Sequence, residues 1–273
     1  MSVQRRNNVL VRGEGPETIV FAHGFGCDQR MWRLVEPSFA DGCRTVLFDF
    51  VGSGGSDASQ YEIEKYATLD GYAQDIIDVI DEFGQGRVLF VGHSVSAMAG
   101  AIAALKRPGL ITAHAMIGPS PSYINDGAYQ GGFSREDIDS LLEALESNYL
   151  GWSSAMAPSI MGNQDKPELS AELTDSFCQT DPDISKRFAR VTFLTDCRNT
   201  VAQLKEPTLI VQSSDDFIAA IPVGEYLART IENSYLDVVE NVGHCPHMSQ
   251  PKECIASIRK FIDDIWGSTA DGL

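Results

Sequence analysis

The sequence predicts an α/β fold, a mostly parallel central sheet flanked by helices. Three observations point to it. Short apolar runs recur along the chain, and most lead through a loop into a helical pattern. These runs lack the strict apolar–polar alternation of half-exposed strands, as expected where both faces of a parallel sheet are covered. Hydrophobic residues make up 43% of the 273 positions, enough for a substantial core, and no repeat or low-complexity stretch divides it. The expectation is one domain spanning residues 1–273.

The strands follow in order. TIVFAH (18–23) runs into GFGCDQ, RTVLFDF (44–50) into VGSGGSD, and VLFVG (88–92) into HSVS. ITAHAMIG (111–118), PTLIVQSS (207–214) and SYLDVVE (234–240) complete the set. Between them, residues 68–84 place Leu69, Tyr72, Ile76, Val79, Ile80 and Phe83 on one helical face, with Gly84 as the stop. Residues 251–266 open on a proline and repeat the amphipathic pattern, and this strand–helix alternation is the α/β signature. Residues 121–200 break it. Ser134 can cap a helix striped by Ile138, Leu141, Leu142 and Leu145, and Asp181-Pro182 reads as a second cap with proline in the first turn. A helical layer inserted over the sheet is expected there, with some of its many aromatics lining a cavity.

Composition excludes several functions. With 21 Lys and Arg against 38 Asp and Glu, the net charge is −17. Such a chain repels nucleic acid, whose binding relies on basic surface, and it repels an anionic membrane equally. No apolar run approaches the roughly 20 residues of a membrane span. MSVQRRNNVLVRG has no signal-peptide core, and the six cysteines form no CxxC pair, so reduced thiols in the cytoplasm are expected. Gly52-Ser53-Gly54-Gly55-Ser56 lacks the third glycine of a dinucleotide fingerprint. His244-Cys245-Pro246-His247 has no second ligand cluster to make a metal site. Neither metal nor cofactor is expected.

The chemistry concentrates in VLFVGHSVSAMAG (88–100). It is nearly G-x-S-x-G, the sharp strand-to-helix turn that exposes a nucleophilic serine, here Ser94, although Ser96 replaces the last glycine. A serine needs a base, and the base needs an acid to orient it. Of the histidines after Ser94, His114 falls within a strand, whereas His244 follows one and can return over the elbow; His247 lies a helical turn further on. The acid should follow LIVQSS, where Asp215 and Asp216 stand side by side, and spacing alone leaves both open. An oxyanion needs two backbone donors. The amide of Val95 is one, and Phe25 in His23-Gly24-Phe25-Gly26 supplies the other.

Taken together, HGFGCDQRMW, LFDFVGSGGSD, TLDGYAQDIIDVI, VGHSV, GPSPSYIND and GHCPHMS resemble the RsbQ-like α/β hydrolases. That group includes a bacterial stress-signalling hydrolase and the plant karrikin and strigolactone receptors. The resemblance runs from about residue 7 to 265. It implies the α/β-hydrolase fold with a four-helix lid at 121–200, and the triad Ser94, Asp216 and His244, with Asp215 as the fallback. It also implies an apolar pocket among Phe25, Tyr123, Phe133, Trp152 and Phe193. Two positions depart from the family pattern: Ser96, and Ala220 where a proline normally stands four residues after the aspartate, with Pro222 two further on. The elbow is expected to survive Ser96, with the Val95 amide displaced. The implied activity is hydrolysis of a small apolar ester, lactone or enol-ether-like substrate through an acyl-enzyme. The alternative is a ligand-perceiving protein of the general stress response that hydrolyses slowly and acts through a signalling phosphatase.

Overall fold

A computed structural model describes residues 1–267; residues 268–273 of the expected domain lie outside the described residues. Among the described residues, seven strands form one sheet: β1 (Leu10–Arg12), β2 (Thr18–Ala22), β3 (Arg44–Phe48), β4 (Val88–His93), β5 (Ala113–Ile117), β6 (Thr208–Asp215) and β7 (Ser234–Val242). Their spatial order is β1-β3-β2-β4-β5-β6-β7, with β1 antiparallel to β3 and every other pair parallel. The central strands β2, β4 and β5 are buried throughout. Successive side chains leave a strand on opposite faces. Ile19 and Phe21 of β2 therefore join one apolar cluster, while Val20 and Ala22 join the other.

Among the described residues, eleven α-helices accompany the sheet. Three are single turns: α1 (Val3–Arg6), α8 (Arg198–Val201) and α10 (Pro246–Ser249). α2 (Leu69–Phe83) and α3 (Val95–Lys106) pack on the Val20 face, and α9 (Ile221–Thr230) joins them through Leu227. α11 (Pro251–Trp266) covers the Ile19 face with Ile258 and Phe261. The Thr68 hydroxyl caps α2, and the N–H of Gly84 closes it on the Ile80 carbonyl at 2.8 Å. Leu69, Tyr72, Ile76, Val79 and Ile80 are buried, and Phe83 is half-buried at the end of the stripe.

Four helices lie between β5 and β6: α4 (Arg135–Ser147), α5 (Tyr149–Met161), α6 (Pro167–Gln179) and α7 (Pro182–Leu194). Ser134 and Asp137 form a reciprocal capping box on α4, and Asp181 accepts from the N–H groups of Asp183 and Ile184 at the start of α7. Among the described residues, no helix is long and apolar enough to cross a membrane.

Two strands differ from expectation. β1 is missing from the sequence reading because three residues are too few to show a period. β7 was expected to be covered on both faces, but it is the sheet edge, with Tyr235, Val238 and Val242 exposed.

Candidate active site

β4 ends at His93, and α3 begins at Val95. Ser94 makes the turn between them with φ 56° and ψ −124°, a backbone conformation that costs a non-glycine residue of order 1–3 kcal/mol. Its N–H is held by the Ile117 carbonyl at 2.9 Å. Strand and helix approach so closely that a Cβ at Gly92 would lie 2.8 Å from the Ala97 nitrogen. Ser96 fits within this turn. Its buried hydroxyl lies 3.0 Å from the Ala22 carbonyl and 2.8 Å from that of His93, so its one proton is shared between them.

The structure brings Ser94, His244 and Asp216 together. Ser94 Oγ is 2.8 Å from His244 Nε2, and His244 Nδ1 is 2.7 Å from Asp216 Oδ2. The other Asp216 oxygen accepts from the N–H groups of Ile218 at 2.8 Å and Ala219 at 3.1 Å. All three residues are at most 5% exposed, so water does not compete for these bonds. Asp215 has an exposed side chain, and its carbonyl accepts the Gly243 N–H at 2.7 Å. The β6–β7 register shifts between Ser213 and Asp215, and bulges of this kind re-aim the side chains that follow. Ala220 stands at the N-cap position of α9 without a side-chain bond, Pro222 sits in the first turn, and the Asp216 loop is held instead by the Ile218 and Ala219 N–H groups.

His244 is held from several sides. Its N–H donates to the Ile160 carbonyl at 2.8 Å, and its carbonyl accepts from His93 Nε2 at 3.0 Å. A Cβ on Gly118 would come within 3.3 Å of its ring. An imidazole fixed between a hydroxyl and a buried carboxylate can take the hydroxyl proton while the carboxylate stabilises the resulting cation. The Tyr123 hydroxyl stands 3.2 Å from Ser94 Oγ, and burial raises its pKa, keeping the phenol neutral.

The loop at 23–26 lies against the elbow. A Cβ at Gly24 would sit 2.6 Å from His93 Nδ1 and 3.3 Å from Ser94 Cβ. His23 fixes the loop's base: Nε2 accepts from the Phe50 N–H at 3.1 Å, which leaves Nδ1–H to donate to the Gly24 carbonyl at 2.9 Å. Among the described residues, the N–H groups of Phe25 and Val95 have no backbone or side-chain acceptor; Val95, first in its helix, has no intrahelical partner by position.

Ser94 and His244 line a cavity of about 30 Å³. Phe25, Tyr123 and Phe193 also line it. Trp152 lies one layer back, its ring 6.3 Å from that of Phe25 and 5.8 Å from that of Phe177. Phe133 is half-buried, bridged to Ile124, and outside the lining. Phe177, expected only as one of the lid aromatics that can line a cavity, reaches it as well, together with Leu173, Ile160, Ile218 and Thr192, which the sequence pattern does not single out. The spacing of Leu169, Leu173 and Phe177 along α6 is the signal that would have found two of them. A larger open groove, about 1060 Å³, runs past Arg12, Arg30, Glu36 and Glu172 and contains none of Ser94, His244 and Asp216.

The remaining histidines are internal, as are Cys27, Cys197, Cys245 and Cys254, whereas Cys43 is half-buried and Cys178 exposed. His114 is buried in β5, and His247 packs between Trp32 and His93 with its ring tilted against both. Burial pushes the His114 pKa down to about 4 and, with His244 adding to the effect, that of His247 to about 3. Cys27 and Cys245 line the cavity as buried free thiols whose pKa values burial raises, which favours the unreactive protonated form. Among the described residues, no group of three or more His, Cys, Asp or Glu gathers to hold a metal ion.

The comparisons agree with this architecture. Residues 19–257 match the model of the Alpha/beta hydrolase family. Karrikin insensitive 2 receptor CA of Petunia hybrida is 37% identical over 261 residues, covering 95% of this chain and 97% of the relative. Strigolactone esterase D14 of Arabidopsis thaliana is 35% identical over 256 residues, covering 93% and 96%. A solved hydrolase from Oleispira antarctica superposes with a TM-score of 0.93 at 39% identity, covering 96% of each chain. The chain belongs to the alpha/beta hydrolase family.

Proposed function

We propose that this enzyme, a hydrolase of ester bonds, acts on small, largely apolar esters or lactones through an acyl-enzyme on Ser94. The observation that carries this reading is the buried relay of 2.8 and 2.7 Å from Ser94 through His244 to Asp216. Ser94 Oγ attacks the carbonyl carbon as its proton passes to His244 Nε2. The oxyanion is received by the N–H groups of Phe25 and Val95. Asp216 holds the imidazole in the required tautomer and stabilises its cation. His244 then gives the proton to the leaving oxygen, and water, deprotonated by the same imidazole, releases the acid.

The four inserted helices act as a lid. A cavity of about 30 Å³ is far below the roughly 300–1,000 Å³ of ordinary ligand sites, so substrate enters only when the aromatics beneath α6 and α7 part. Phe25, Tyr123 and Phe193 form the inner wall of the opened pocket; Trp152 supports Phe25 from behind, and Phe133 stays at the margin.

A second reading is ligand perception, favoured by the relative named Karrikin insensitive 2 receptor CA and by the closed cavity. On that reading turnover is slow, and the lid's response to ligand is the output. The resemblance to the RsbQ-like group adds a signalling phosphatase as partner, a place in the stress response and a cytoplasmic location.

The experiment is intact-mass analysis after brief exposure to a serine-directed phosphonate. A single adduct on the unmodified sequence, absent from Ser94→Ala, supports the acyl-enzyme reading. Equal labelling of both proteins overturns it. Co-purification of a phosphatase only in the presence of ligand would favour perception.

A further inference from the structure

Thr192 lies on α7, one residue before Phe193, and lines the same cavity as Ser94. It is 4% exposed, and its hydroxyl oxygen makes no hydrogen bond among the described residues. Helical threonines commonly return the hydroxyl to the carbonyl four residues earlier. Thr174 within α6 does this, to Ser170, and Thr180 and Thr195, which follow the last residues of α6 and α7, bond in the same way to Ser176 and Val191. Thr192 does not.

Its surroundings offer little else. The Tyr123 hydroxyl is engaged with Ser94, and Ser94 with His244. The side chains of Phe25, Phe177, Phe193, Ile160, Leu173 and Ile218 present only carbon, and Cys27, Cys245 and His93, which also line the cavity, make no bond to Thr192. A hydroxyl buried without a partner is unfavourable. It is tolerable where a ligand completes it.

We propose that Thr192 is a specificity-determining residue whose hydroxyl hydrogen-bonds a second polar atom of the substrate, apart from the scissile carbonyl. The preferred substrate is then a compact ester or lactone with one further oxygen or nitrogen on an otherwise apolar frame. This rests on the acyl-enzyme reading of the same cavity.

The test uses phenyl acetate and its 2-, 3- and 4-pyridyl counterparts, which move one nitrogen acceptor around a ring of constant size. For each ester, the kcat/KM ratio of the unmodified protein to Thr192→Val cancels leaving-group chemistry. We expect at least one pyridyl ester to lose about 10-fold with Thr192→Val while phenyl acetate changes little. Thr192→Ser should retain the preference. If all four esters shift by one common factor, or none shifts, the proposal is overturned and a resident water or simple packing accounts for the hydroxyl.

Binding separates this proposal from the acyl-enzyme reading. The hydroxypyridines and phenol are titrated into Ser94→Ala and into Ser94→Ala with Thr192→Val. A preference for one hydroxypyridine over phenol that vanishes with Thr192→Val supports the role of Thr192 even if acylation fails. No such preference, together with no differential kinetics, overturns it.

Discussion

The backbone N–H of His244 donates to the Ile160 carbonyl across 2.8 Å, joining the imidazole-bearing loop to the last turn of α5. The contact is close on both sides. A Cβ on Gly243, at φ 104°, would lie 2.1 Å from the Met161 carbonyl oxygen, and one on Gly162, at φ 62°, 2.6 Å from that of Val242. Asn163 Nδ2 adds a bond to the Val242 carbonyl. Movement of α5 is therefore transmitted to His244.

For Gly243→Ala we expect a loss of at least about 1–3 kcal/mol of stability, because strain and collision act together. kcat should fall more than KM changes, since the imidazole moves relative to Ser94. Denaturant unfolding and steady-state kinetics check both.

Asp216→Asn removes the anion facing His244 Nδ1, and we expect kcat to drop by about 10⁴-fold, as in other serine–histidine–aspartate enzymes. Asp215→Asn, whose side chain is exposed, should stay within about 2-fold. Ester hydrolysis by the two purified variants decides between the adjacent carboxylates.

Ser96→Gly restores the familiar motif but deletes a hydroxyl bonded to the Ala22 and His93 carbonyls. We expect it to lower stability by about 1–2 kcal/mol, from the lost hydrogen bonding and glycine's freedom in a helix. Phosphonate labelling at Ser94 should be no faster, and faster labelling would mean that Ser96 hinders the elbow.

Phe177→Ala should enlarge the cavity at a cost of about 3–5 kcal/mol in stability. Phe177 packs 5.5 Å from Phe25 and 5.8 Å from Trp152, so no neighbour fills the space without rotating. The ratio of kcat/KM for naphthyl acetate to that for phenyl acetate should rise about 10-fold, measured side by side.

His93, His114 and His247 are held neutral chiefly by burial, their folded pKa values below the ordinary value near 6.5. Below about pH 6.5 the unfolded chain binds protons that the folded chain refuses, so stability falls as pH falls toward about 4 for His114 and about 3 for His247. Each such histidine adds a slope of roughly 1 kcal/mol per pH unit. His114→Phe should remove one proton's share of that slope in urea titrations between pH 5 and 7.

The elements legible in the sequence were those whose pattern is local. Leu69 to Ile80 declared α2 by period, Asp181-Pro182 declared the start of α7 by its cap, and the run before Gly92 declared a buried strand. The proximity of Ser94 and His244 could be inferred from chain order, because successive parallel strands deliver their loops to one edge. Asp216 could not be separated from Asp215 by spacing, since the bulge that aims one inward depends on pairing with β7. The pocket was the least legible. Whether Trp152 or Phe177 meets the cavity depends on how α5 and α6 rotate on the sheet, and both carry aromatics on their buried faces.

If the four inserted helices act as the proposed lid, the small cavity sets a thermodynamic handicap on every ligand. If the open arrangement of α6 and α7 is populated about one part in a hundred, apparent affinity is about 100-fold weaker than the open site's own. Any binding event or substitution that favours opening can return up to that factor without touching Ser94. On the lid reading proposed above, the resting equilibrium of the helices acts as a second control on substrate concentration dependence, separate from the chemistry of the serine.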